Sequence, residues 1–113
     1  MCSNSFTLTY MKKYTFFLGL NDKDTKTQLV DTWLAISEVS HFAMENLWGG
    51  SISLVSGLFQ HDDGTQVKEN TLKIESLGFR DESEFVKFAK RIKAFYNQES
   101  VLMEVSDVDA HFV

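Results

Sequence analysis

Glu69 and Gln98 are the residues of this chain best suited to act together on a small polar molecule. A carboxylate beside an amide can bind a polar ligand or take part in proton transfer. Glu69 interrupts a strand-like stretch whose later residues, Leu72 and Ile74, are plainly structural, so its charge calls for a partner or for solvent. Gln98 falls where a second helix hands over to a last strand, which in the topology derived below lies beside the first. Tyr14 opens that first strand and can bring its ring and hydroxyl to the same end of the sheet, and Trp48 is a further candidate wall. The expected ligand-binding set is therefore Glu69, Gln98, Tyr14 and Trp48. The plainer alternative is that Glu69 ties down a backbone edge and Gln98 caps the turn out of the second helix. The placement of Glu69 depends on hairpin register, because a slip of one residue turns it to the opposite face.

Other chemistry-bearing residues are sparse. His61-Asp62-Asp63 is the densest group of metal-ligand types, yet Asp and Gly at 62–64 also make a polar hairpin tip. His41 has no Ser or Cys nucleophile motif to serve, and His111 lies close to the end of the chain. Tyr14, Phe16, Trp48 and Phe59 can line a pocket or an interface, although aromatics in a small domain are usually core. P-loop and dinucleotide-binding glycine patterns are absent, and so are zinc-type Cys/His spacings. No metal and no cofactor is expected, and a catalytic residue is not identifiable. The one cysteine, Cys2, excludes an intramolecular disulfide and fits a reducing cytoplasm.

The elements that must position these residues follow from periodicity. The chain has 113 residues, 43% of them hydrophobic and 24% charged, which suits one globular domain. Residues 1–13 read as an N-terminal extension, either flexible or a continuation of the first strand, and 14–113 as a single α+β domain. Tyr14 to Leu20 is aromatic and β-favouring. A helix follows, expected to be capped by Asp24 or Thr25, with Leu29, Val30, Trp33, Leu34 and Ile36 at helical spacing. Ser51–Gln60 and Val67–Leu77 form a hairpin, with Gly57 marking a bulge or a close backbone approach. Asp81 and Glu84 have capping-box spacing ahead of an apolar face of Phe85, Phe88, Ala89, Ile92 and Phe95. Ser100–Val105 is the last strand, and its continuation through Phe112 changes parity, which places a bulge near Ser106-Asp107. The order βαββαβ predicts a ferredoxin-like fold: a four-stranded antiparallel sheet, spatial order 4-1-3-2, with both helices on one face. Trp33 and Phe88 are expected in the core between them.

Several motifs resemble a bacterial family of small uncharacterised domains. They are Leu18-Gly19 closing the first strand, Trp33 in the first helix and Gly49-Gly50 with Gly57 around the hairpin. Glu69 to Ile74 in the third strand and Gln98-Glu99-Ser100-Val101-Leu102 opening the last complete the set. The resemblance spans roughly residues 14 to 112. The chain departs from the pattern in lacking Pro altogether and in carrying Phe59 where the family favours Trp. The resemblance implies the fold and supplies no activity.

The net charge of −5, without a basic run, disfavours duplex nucleic acid and anionic membrane surfaces. RNA-binding sheets of this topology carry aromatics on the central strands, and Val67 to Ile74 offers none. Met11 to Leu20 has the charge-then-apolar order of a signal peptide but is too short, and no segment approaches a membrane span, so a cytoplasmic protein is expected. Two functions remain, a non-enzymatic one that leads and an enzyme as its alternative. One is a binding or interaction module, self-associating through its sheet as a homodimer, with a protein or small polar ligand as partner. The other is a cofactor-free dimeric α+β enzyme acting on a small polar molecule. A flat apolar sheet face favours the first, and a pocket holding a carboxylate favours the second.

Overall fold

Tyr14, Phe16, Leu18 and Leu20 share one parity, and all four are buried under the helices. The computed structural model describes residues 6–47, 49–78 and 81–113, with backbone alone for 6–10. The strand built on this alternation, β1, runs Phe6–Gly19, so the first strand extends well before Tyr14. The helix α1 is Thr32–Asn46, followed by β2 (Ser51–Gln60), β3 (Gln66–Leu77), α2 (Glu82–Phe95) and β4 (Leu102–Phe112). The strands form one antiparallel sheet in the order β2-β3-β1-β4. The ferredoxin-like architecture and the spatial order read from the sequence are both present.

Register fixes what each face carries, because directly paired residues in an antiparallel sheet point the same way. Phe16 pairs with Ile74 and Leu18 with Leu72, and these four meet Phe85, Phe88 and Ile92 of α2 and Ala35 and Val39 of α1. Tyr14 stacks on Phe85 with ring centroids 3.8 Å apart, and Phe16 meets Phe88 edge-on at 5.1 Å. The other parity of β1 and β3 pairs Thr15 with Glu75, Phe17 with Lys73 and Gly19 with Thr71 on the face without helices.

Four expectations about helices are corrected. The first helix begins at Asp31, whose carboxylate accepts from the N–H groups of Trp33 and Leu34, and not at Asp24 or Thr25. The reason is Asp22, whose carboxylate captures the N–H groups of Asp24 and Thr25 and folds 22–27 into a turn with Lys26 at φ +62°. Trp33 is 72% exposed and not in the core. Ala35 and Val39 set the inward face, and Trp33, two residues from Ala35, lies about 200° around the helix from it. At α2, Asp81 is the cap position, yet its carboxylate takes the Ser83 hydroxyl and no backbone N–H, so the capping box does not form. Phe95 is 54% exposed, and the neighbouring Tyr96 is buried in its stead. Burial raises the Tyr96 phenol pKa, helped by its hydrogen bond to Glu38 at 2.9 Å.

The bulge also lies elsewhere. Leu8 pairs with Ala110 and Met11 with Val108, so the extra residue is in β1, between Leu8 and Met11, and β4 stays regular through Ser106-Asp107. Val108 and Ala110 therefore fall on the face opposite Met103. Gly57 makes no bulge, since the β2–β3 register is continuous through it.

Two substitutions test this packing. Phe88→Ala removes a ring buried to 1% exposure and should cost about 3–5 kcal/mol in urea unfolding. Trp33→Ala should change stability by no more than about 0.5 kcal/mol, as for a surface site. A large loss at Trp33 would contradict the placement of α1.

Candidate functional site

Where β1 ends, the chain turns out of the sheet and the peptide groups of Asn21 lose their ladder partners. Glu69 and Gln98 replace them. Glu69 Oε2 accepts from the Asn21 N–H at 2.9 Å, and Gln98 Nε2 donates to the Asn21 carbonyl at 2.8 Å and to that of Tyr96 at 3.0 Å. The two residues singled out from the sequence thus meet through one residue's backbone. Glu69 Oε1 accepts no hydrogen bond among the described residues. Gly19 makes room for this carboxylate, because a Cβ at 19 would collide with it. Gly57, directly opposite Glu69, is required by close approach too: a Cβ there would strike Thr71 Oγ1.

The clearance opens a cavity of about 430 Å³ on the helix-free face. Phe17, Val55, Phe59 and Leu102 supply its apolar walls, and Glu69, Thr71, Gln98 and Ser100 its polar ones. Volume and lining suit a small organic molecule held by a few polar contacts.

The loop and turn around the rim are stitched together. Asn97, itself left-handed at φ +50°, donates to Asp22 Oδ1 at 2.8 Å and to Asp24 Oδ2 at 2.9 Å. The Asn97 amide, with the N–H groups of the turn, holds the Asp22 carboxyl below the usual carboxylate range. His61, at the end of the β2–β3 hairpin, folds against the same turn. It is buried, its Nδ1 lies 3.4 Å from Glu99 Oε1 without hydrogen-bond alignment, and the edge-on contact with Phe59 spans 5.0 Å. His61 thus packs as a wall behind Phe59 and does not project as part of a polar tip. Among the described residues no three His, Cys, Asp or Glu side chains converge as metal ligands.

The other sequence candidates do not join the site. Tyr14 lies on the helix face, stacked on Phe85 with its hydroxyl 3.4 Å from Glu82, and burial raises its pKa. Trp48 lies outside the described residues. Phe16 is core. His41 is exposed and 3.6 Å from Glu45, and His111 is exposed. The sequence reading missed Phe17, Thr71 and Leu102 as lining residues. The signal was present in the two strand glycines, since Gly19 pairs with Thr71 and Gly57 with Glu69 across the sheet.

No protein-family model and no curated protein sequence matches the chain. Solved structures do. A phage SAM lyase in complex with S-methyl-5'-thioadenosine superposes with a TM-score of 0.65 at 18% identity, over 88% of this chain and 90% of that one. A phage SAM lyase in the apo state gives 0.64 at 17% identity, over 91% and 89%. CutA from Synechococcus elongatus gives 0.55 at 9% identity, over 97% and 86%. At these identities the likeness is one of fold.

The clamp on Asn21 makes two expectations. Gly19→Ala should push the Glu69 carboxylate off the Asn21 N–H and cost about 1 kcal/mol. Adding Glu69→Gln to it should then cost less than the same change in the wild-type chain, a coupling that a double-mutant cycle measures. The lowered Asp22 pKa means that its contribution is full above the ordinary carboxylate range and is lost as pH falls through the folded value. Asp22→Asn should therefore flatten the acid-side decline of the melting temperature.

Proposed function

We propose that this chain is an enzyme of the cofactor-free α+β type that binds S-adenosylmethionine in the cavity beside Glu69 and cleaves it to S-methyl-5'-thioadenosine. The observation that carries the reading is a carboxylate set in an otherwise largely apolar cavity on the face the helices leave open. A flat, apolar sheet face would have favoured a pure interaction module. The fold it shares with a phage SAM lyase in complex with S-methyl-5'-thioadenosine supplies the substrate class.

The chemistry of the walls suits that class. A sulfonium carries its positive charge on a weakly hydrated sulfur, which favours a carboxylate and aromatic faces over water. Glu69 offers the first, and Phe17 and Phe59 the second. Thr71, Gln98 and Ser100 give the nucleoside hydrogen-bonding partners. When the bond between sulfur and the amino-acid arm breaks, its electron pair goes to sulfur and leaves a neutral thioether. The arm must then lose a proton or close on its own carboxylate. Glu69 stands where it can hold the migrating positive charge or take that proton.

A second reading concerns assembly. Leu102, on the cavity wall, is 56% exposed, and with Phe17, Val55 and Phe59 it gives the opening an apolar border. We infer a homodimer that covers it. Light scattering at micromolar concentration should give about twice the chain mass of 12.9 kDa, and the monomer mass overturns this part.

The test of the activity is direct. The purified chain incubated with S-adenosylmethionine should release S-methyl-5'-thioadenosine, followed by chromatography. Glu69→Gln should keep the fold and lower turnover by at least about a hundredfold, as expected for loss of a charged catalytic group. No release by the wild-type chain, or full activity of Glu69→Gln, overturns the proposal.

A further inference from the structure

We propose that Lys73 receives the carboxylate of the ligand's amino-acid arm and so decides between ligands that carry the arm and ligands that lack it. The inference rests on the reading of the cavity as a sulfonium-nucleoside site. Glu69, Thr71 and Lys73 follow one another at alternate positions of β3 and point to the same helix-free face. Glu69 and Thr71 line the cavity, and Lys73 is the next side chain along. Its ammonium lies 5.9 Å from the ring centroid of Phe17, which is itself a cavity wall and its direct partner across the sheet. Along this face the Glu69 carboxylate stands in the cavity and the Lys73 ammonium lies just outside it, beside the Phe17 wall, with Cα atoms about 13 Å apart. S-adenosylmethionine has the complementary order: a cationic sulfur, a short carbon arm, then a carboxylate.

The other lysines near the face are already committed or turned away. Lys13 is ion-paired to Glu75 at 2.6 Å, which also occupies the next carboxylate along β3. Lys26 lies 3.9 Å from Glu99. Lys68 has the opposite parity from Glu69 on β3 and faces away. Lys73 makes no ion pair among the described residues, although its charge helps lower the pKa of Glu75, and it is half-buried, so an anion brought to it is partly shielded from solvent.

Two stable probes separate the arm from the nucleoside: S-adenosylhomocysteine, which carries the arm, and S-methyl-5'-thioadenosine, which does not. Binding of each is measured by calorimetry to the wild-type chain, to Lys73→Met and to Lys73→Arg, with melting curves to confirm folding. Lys73→Met should weaken S-adenosylhomocysteine by about ten- to a hundredfold, the loss of a charge-assisted hydrogen bond, and leave S-methyl-5'-thioadenosine within about twofold. Lys73→Arg should retain most of the affinity for both. Equal effects of Lys73→Met on the two probes, or no effect on either, overturn the assignment of Lys73 while leaving the site intact. If the wild-type chain binds neither probe, the site reading fails and this inference with it.

Discussion

The peptide of Asn21 must leave the sheet in a half-buried place, and its N–H and C=O must still find partners. An unmet backbone group there would cost about 1–3 kcal/mol. Glu69 and Gln98 meet that demand from opposite sides, one accepting and one donating. This brings β3 and the α2–β4 turn to the same point at the end of β1. The cavity is the space these three segments enclose, with the β2 residues across from Glu69 forming the remaining wall.

That arrangement shows Glu69 in its plain role and leaves room for the proposed one. One carboxylate oxygen is spent on the backbone, while the other makes no hydrogen bond among the described residues. A carboxylate fixed by one oxygen is oriented without being neutralised, because an N–H donor carries no net charge. This is the condition for pre-organised electrostatics: the group is held in place before a ligand arrives and need not reorganise when charge moves. Gly19 is part of the same device, since any side chain there would occupy the carboxylate's position.

The architecture was legible in the sequence because it rests on period: alternation at Tyr14, Phe16 and Leu18 and helical spacing at Phe85, Phe88 and Ile92 are visible without knowing what they touch. The errors came where a local competitor outweighed a pattern. Asp22 took the N–H groups of Asp24 and Thr25 and closed a turn where a helix capped at Asp24 was expected. Trp33 was read as core from its helical spacing with Leu29, Val30 and Ile36, whereas the helix is oriented by Ala35 and Val39, which are fully buried. The parity change on β4 was real but did not show that the inserted residue stands in β1. Glu69 and Gln98 meet on the Asn21 backbone because a charge inside a strand and an amide at a helix exit each demand a partner, and that demand was readable in the sequence. Tyr14 was misplaced because the right end of a strand does not settle the face, and Tyr14 has the parity of Phe16.

The helix-free face shows why the ligand is expected at one end only. Along β3 its charges alternate: Glu69, then Lys73, then Glu75. At the far end Glu75 and Lys13 close on each other at 2.6 Å, and the lysine lowers the Glu75 pKa. An ion pair that tight has little left for a ligand. At the near end no lysine reaches Glu69, because Gly19 and Gly57, its neighbours on the flanking strands, have no side chains to offer. The same glycines that create the space also leave the carboxylate without a counter-charge among the described residues. The carboxylate is left to solvent in a cavity of about 430 Å³ walled largely by carbon, and the sulfonium ligand proposed above would supply the missing positive charge there.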